Sequence, residues 1–388
     1  MLALRFAPCS LFLAMLPAAL TAQGEPPTDA LRARVVADYA RFAHDVYEQA
    51  EAGAVAMRAS VTAFLAEPSE MTLAAARQAW TEARRTYGVT EVLRFYDGPI
   101  DHPRHGVETY LNAWPVDEAY IDYVVGSPDA GIVNDVERYP QLSAALLTIA
   151  NERGGEASIC LGWHAIEFLL WGQDLSADGP GARLPRDYQL GAAPRAERRR
   201  VFLGLATDLL VEHLAKVRNA WAPEQDNYRA EFVADPARAV ARMLTGMTVL
   251  SGFELSGERL AVAYETQDQE QEHSCFSDTT HQDLAANQRG IAAVYFGGGA
   301  GAERAGLQQL AARVDASAAA DVAACIRRSA ECLRQIPAPI DQAMLGPDDA
   351  PGRRAILAAI QALEDQAEAL AALALSMDVR VPLTPGGR

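Results

Sequence analysis

The chain is poor in aromatic residues, 7% of 388, and nowhere runs to 18 consecutive apolar residues, so no segment qualifies as a permanent membrane span. Basic residues are also scarce. With 34 of them against 51 acidic ones the formal charge is −17. A field of that sign repels phosphate backbones and anionic lipid, which makes nucleic acid and membrane surfaces poor partners. Metal cations and cationic or neutral ligands stay admissible. No His-Glu-x-x-His occurs, so the usual helical signature of a zinc peptidase is missing. Strand-like alternation never reaches five residues between two turn signals.

What is present is half hydrophobic by composition and long enough for two domains at roughly 100–200 residues each. Residues 1–22 carry one early cation, Arg5, then an apolar run and small residues. That pattern predicts a secretory signal cleaved after Ala22, with Pro8 and Pro17 arguing against a buried helix there. Cleavage removes Cys9 and leaves Cys160, Cys275, Cys325 and Cys332. An even number in an oxidising compartment permits two disulfides. Cys325 and Cys332 would lie about 10.5 Å apart on a straight helix, beyond bridging distance.

Helical periodicity dominates the remainder. It predicts helices over 29–65, with Thr28 as a possible N-cap, and from Ser69 as N-cap to about Phe95, softened at Gly88. Shorter helices are expected over 118–125, 141–151 and 156–171, then a longer one over 196–221. Beyond them, helices are expected over 236–262, 281–296, 302–315, 317–335 and 352–377, with Gly297, Gly298 and Gly299 as a break. Residues 96–140 read as a long ordered excursion that shapes a site, and 172–194 as a second loop. The expected architecture is all-α: two bundles of about four main helices each, sharing an interface. The N-terminal bundle covers 27–222, a linker 223–235, the C-terminal bundle 236–378, and a flexible tail 379–388. No residue-level internal repeat is visible.

The chemistry concentrates in CLGWHAIEFLLWGQD, Cys160 to Asp174. On a helix His164 and Glu167 leave one face a turn apart, and together they can hold one divalent ion. Gly162 lets a backbone or ligand approach. From the spacing alone a core histidine hydrogen-bonded to a packing glutamate is the stronger reading, two such groups being a weak metal signature. Further donors follow the second helix: Glu91, then Asp101 after the Gly98-Pro99 turn, with Asp97, His102 and His105 nearby. The two histidines could take a soft metal or simply be solvated. A third cluster holds Glu272, His273, Cys275, Ser277, Asp278, His281 and Asp283, either a polar loop laid over the first site or a helix cap through Asp278 or Thr279.

At these residues the chain resembles the imelysin family of exported bacterial proteins, particularly its iron-regulated members. The Gly-x-His-x-x-Glu signature is matched by Gly162, His164 and Glu167. Further likeness lies in 79–101, 112–125, the EHSCFSD stretch from Glu272, and IPAPIDQA from Ile336. The resemblance implies two helical bundles with a ligand pocket at their interface, and a periplasmic or surface role tied to iron uptake, with iron-transport components as partners. It implies His164, Glu167, Glu91 and Asp101 as the metal set, for iron or alternatively zinc, or for a small metal-bearing ligand. Trp80, Arg84 and Tyr87 match a Trp-x-x-x-Arg-x-x-Tyr portion and are expected to line the pocket, alongside Gly162, Cys275, Ser277, Asp278 and His281.

The family is also classed among metallopeptidases, in which case Glu167 would be the general base. A zinc peptidase needs three protein ligands and an open position for water. His-x-x-Glu supplies two ligands at most, and an oxygen-rich set suits a harder ion. The expectation is therefore an exported metal-binding protein of iron acquisition, with a peptidase and a partner-binding scaffold as alternatives.

Overall fold

The computed structural model describes residues 28–176, 179–298 and 304–385. The predicted signal segment 1–22 with Cys9, Gly299 of the glycine run, and the end of the expected tail lie outside the described residues. Among the described residues there is no β-strand, only an isolated bridge between Val124 and Ser127.

Helix α1 (Thr28–Ala66) turns Val35, Tyr39, Phe42, Val46 and Tyr47 inward at three- and four-residue steps, so one stripe is buried along its length. Ser69 caps α2 (Glu70–Tyr87) by a reciprocal pair. Its hydroxyl accepts the Thr72 amide at 3.3 Å, and Thr72 Oγ1 accepts the Ser69 amide at 3.1 Å, satisfying donors a helix start leaves bare. The helix expected to reach Phe95 instead tightens into a 3₁₀ turn over Gly88–Leu93. The cause is close packing. A Cβ on Gly88 would lie 2.7 Å from the Ala286 Cβ, and one on Gly290 would lie 2.5 Å from the Val89 carbonyl oxygen.

The excursion at 96–140 is ordered, with only short helices at Glu118–Ile121 and Gly131–Asn134. Arg198 holds it by donating to the carbonyls of Ile132, Val133, Tyr139 and Pro140. The Asp122 carboxylate is buried between Arg183 and Arg199. Helix α3 (Gly162–Trp171) is buried on every face, as its near-continuous apolar sequence requires. Helix α4 (Ala196–Ala220) follows.

The expected linker 223–235 contains a helix, Tyr228–Ala234, capped by Asn227. Phe232 stacks on Tyr39 at 5.3 Å and meets Trp221 edge-on, so the segment is packed on α1 rather than extended. Asp235 caps α5 (Pro236–Val249), which runs on as a π-helix over Leu250–Ala261 and as α-helix over Val262–Thr266. Then come α6 (Thr280–Phe296), α7 (Leu307–Val314), α8 (Ala316–Gln335) and α9 (Pro351–Ser376).

The long helices sort by contact into an N-terminal set, α1 to α4, and a C-terminal set built on α5, α6, α8 and α9. The sets are joined where α1 meets α5 and α7, and where α6 crosses α2 and the 88–93 turn. One continuous apolar cluster runs through both.

Candidate functional site

Gly162 starts α3 with φ of +87°, and a Cβ there would lie 2.5 Å from the Leu111 carbonyl oxygen. That oxygen accepts the Trp163 amide at 2.8 Å. Glycine is the residue that allows both the left-handed conformation and the close approach. The helix thereby starts against the excursion, and one turn later His164 and Glu167 point the same way. His164 Nδ1 is 3.0 Å from Glu167 Oε2. Glu167 Oε1 accepts the Ser277 amide at 3.0 Å and the Ser277 hydroxyl at 2.6 Å.

On its other side His164 Nε2 lies 3.3 Å from Nε2 of His273, and His273 Nδ1 lies 2.9 Å from Asp283 Oδ2. Asp283 also accepts from Ser274 Oγ at 2.7 Å and from Arg84 Nε and Nη2 at 3.1 Å each. Arg84 Nη2 comes within 3.3 Å of His164 Nε2 and 3.2 Å of His273 Nδ1, and its Nη1 donates to Asn112. Glu167, His164, His273 and Asp283 thus form a buried chain bridging the two helix sets.

Burial and the fixed charge of Arg84 govern protonation along the chain. Burial works against charge on Asp283, but Arg84 and His273 outweigh it and hold the carboxyl well below its usual range. An ionised Asp283 takes the hydrogen of His273 Nδ1. His273 Nε2 is then a lone pair: either it accepts from His164 Nε2–H, which leaves His164 Nδ1 to accept from a protonated Glu167, or Arg84 Nη2 donates to His164 Nε2 and Nδ1–H donates to an ionised Glu167. The first arrangement is the one that the burial of Glu167 favours. Burial pushes this carboxyl up to about 8, against the Ser277 hydroxyl and the Arg84 charge. Both imidazoles are kept neutral: burial first, then Arg84, lowers His164, and burial with Arg259 brings His273 down to about 4.

This donor set does not fit a metal ion. Each ring nitrogen of His164 already has a partner, its acidic neighbour is protonated, and the Arg84 guanidinium stands where a cation would have to sit. Nor does the structure gather the four residues expected to form the metal set. Glu91 Oε2 accepts from Arg94 and Arg259, each at 2.7 Å. Burial opposes its charge, yet Arg94, Arg259 and Arg84 bring it down to about 2. Asp101 instead caps a turn, accepting the amides of Phe95 and Gly98, both within a stretch where Phe95 and Asp97 have positive φ. Among the described residues, the one group of three potential ligands with atoms within 4.8 Å of one another is His44, Asp45 and Glu48 on α1.

The residues expected to line the pocket take other roles. Trp80 is core, its Nε1 donating to the Trp163 carbonyl at 3.0 Å. Tyr87 packs on Trp163. Gly162 shapes the helix start. Ser277 holds Glu167, whereas Cys275 is buried with its thiol pushed up by burial. Asp278 faces other acids, and His281 is half-buried at the start of α6. His102 and His105 stack ring on ring at 3.5 Å in their loop.

A cavity of about 500 Å³ does open between the two sets. Its walls carry Glu108, Glu152 and Glu156 from the first half and Glu254 and Glu258 from the π-helix, with Arg94 and Arg259 between them. Asn112, Trp114 and His273 form its inner end, so it abuts the buried chain. Sequence reasoning left the loop of His273 and Asp283 open between a helix cap and a polar lid over the first site, which is where His273 and Ser277 lie, and did not single out Asn112, Trp114 or Arg259. Arg259, the one arginine in the largely apolar stretch 243–262, was the available signal, since such a charge must find a buried partner.

Compared with known proteins, residues 43–370 match the family described as imelysin. No curated protein matches the chain. A solved structure from Parabacteroides distasonis, provisionally assigned as an iron-regulated protein A precursor, superposes with a TM-score of 0.70 at 18% identity, covering 92% of this chain and 97% of its own. An imelysin-like protein from Psychrobacter arcticus gives 0.66 at 11% identity, with 92% and 98% covered. At those identities the likeness speaks for the fold, and the family match spans most of the sequence: the chain belongs to the imelysin family.

Proposed function

We propose that the chain is an exported ligand-binding protein of iron acquisition and that its ligand, a small iron(III) chelate, enters the cleft between the helix sets. The observation that carries this reading is the cleft's wall of five glutamates interleaved with two arginines. Hard carboxylate oxygens suit ferric iron. No three of those oxygens lie within 4.8 Å of one another, so the cleft suits a metal-bearing molecule better than a bare ion. Its volume falls within the ~300–1,000 Å³ of small-molecule sites. Arg94 and Arg259 are paired with Glu91, Glu108 and Glu254, and each keeps an Nε–H without a partner for the anionic groups of a chelator. The relative provisionally assigned as iron-regulated supports the choice of metal.

Nothing in the geometry favours a peptidase. Glu167 is wholly buried, with both oxygens engaged by His164 and Ser277 rather than left open to take a proton from water.

Trp114 at the inner end reports on occupancy. Titrating ferric citrate into the full chain should quench tryptophan fluorescence saturably. The Glu254→Gln, Glu258→Gln double variant should bind about tenfold or more weakly. Equal affinity for ferric citrate and iron-free citrate, or an unchanged double variant, would overturn the reading.

A further inference from the structure

Away from the cleft, four acids from three distant stretches converge: Asp174 just after α3, Glu272 and Asp278 from the loop before α6, and Asp341 in the turn Ile340–Ala343. Asp174, Glu272 and Asp341 are 1%, 1% and 3% exposed. Neither carboxylate oxygen of Glu272 or of Asp341 has a hydrogen-bond partner, and neither does Asp174 Oδ2. The Thr280 hydroxyl at Glu272 and the Gln342 amide at Asp341 are the neighbouring donors that work against the rise of those two carboxyls. Burial raises all four carboxyls, Asp278 to about 7, and the nearby charges acting on Asp174, Glu272 and Asp278 are those of one another and of Asp341. No arginine, histidine or lysine contributes at any of the four.

Buried carboxylates without a counter-charge cost several kcal/mol each. Two remedies exist, protons or a cation. Protonation answers only in part: Asp174 and Asp278 are placed to share one proton, but a carboxylic O–H on Glu272 or Asp341 would itself be buried without an acceptor bonded to it. A hard ion would satisfy all the bare lone pairs at once. We propose that Asp174, Glu272, Asp278 and Asp341 form a binding site for a hard divalent cation, calcium foremost, that ties the three loops together.

Calcium takes six to eight oxygens at about 2.3–2.6 Å in a flexible geometry. No three of these oxygens now stand within 4.8 Å of one another, so binding draws the side chains inward. One of the tied loops is the segment that delivers His273 and Ser277 to the buried chain. The Asp174 carbonyl, which accepts Gln269 Nε2 at 2.6 Å, already fastens the first stretch to it. The ion would therefore stabilise the same loop that completes the His164–Glu167 site.

The test uses the full chain stripped with EDTA and titrated with calcium chloride by calorimetry at pH 7.5, with thermal melting in parallel. One calcium per chain and a Tm raised by several degrees are expected. The Glu272→Gln, Asp341→Asn double variant should bind at least about tenfold more weakly while melting no lower than the wild type in EDTA, because neutral amides relieve the repulsion. Should that variant fail to fold, Asp278→Asn alone reads the same loss. Glu48→Gln, on the exposed α1 group, should bind like the wild type. Lack of binding at millimolar calcium, equal binding by the acid-cluster variants, or loss of binding in Glu48→Gln would each overturn the proposal.

Discussion

At the scale of single residues, the family's signature pair is a proton-sharing link rather than an open ligand pair, and Arg84 makes it so. Its guanidinium fixes Asp283 as an anion, and with Glu167 protonated by its burial the donor and acceptor roles alternate through His273 and His164. Glutamine is a close mimic of protonated glutamate, since its amide can donate to His164 Nδ1 while its carbonyl accepts from Ser277. The pH dependence follows from linkage. Glu167 is raised to about 8, so between its unfolded value near 4.5 and pH 8 the folded state binds more protons, and stability falls as pH rises. Glu167→Gln removes that slope. Urea unfolding should therefore find the variant more stable than the wild type at pH 8, with the advantage gone near pH 4.5. A variant less stable throughout would contradict a protonated Glu167.

At the scale of elements, most helices were legible because their apolar spacing and caps agree. Ser69 with Thr72, Asp235 before Pro236, and Asp315 before Ala316 all open helices where propensity predicts. Periodicity failed where tertiary packing decides. It extended α2 through Gly88, ran the Gly162 helix back to 156, and missed the helix at Tyr228–Ala234, too short for a periodic signal. The metal set failed for a related reason. Spacing along a helix places His164 beside Glu167, but nothing local reveals that Arg84, 80 residues earlier, and Asp283, more than 100 later, will close around them. The Gly162 start is the most exacting local feature. Gly162→Ala must both enter φ of +87° and displace the Leu111 carbonyl, at a cost of about 1–3 kcal/mol. Chemical denaturation measures that loss, and a neutral substitution would mean that α3 can start elsewhere.

At the scale of the whole molecule, no disulfide links the helix sets. All four cysteines of the described residues are free, with Cys160 donating to the Leu147 carbonyl and Cys275 buried. The two bridges that the even count permitted do not form. Cys325 and Cys332 both lie on the unbroken α8, whose rise keeps them apart. What joins the sets is the shared apolar cluster with two buried ion pairs across it, Arg84–Asp283 and Arg259–Glu91. Melting with and without dithiothreitol should accordingly give the same Tm to within about one degree, whereas a native disulfide would contribute about 2–5 kcal/mol.

The π-helix over Leu250–Ala261 ties these scales together. Its Val262 amide reaches back five residues to the Gly257 carbonyl, so the coil carries surplus chain compared with an α-helix of the same rise. In that widened winding Leu255 and Leu260 face the core while Glu254, Glu258 and Arg259 face the cleft. Removing one residue to restore ordinary winding would swing everything downstream by about 100° around the axis. Apolar backing and charged lining are thus geared to one another, and the wall of the cavity can be re-engineered by exchanging side chains but not by trimming the helix.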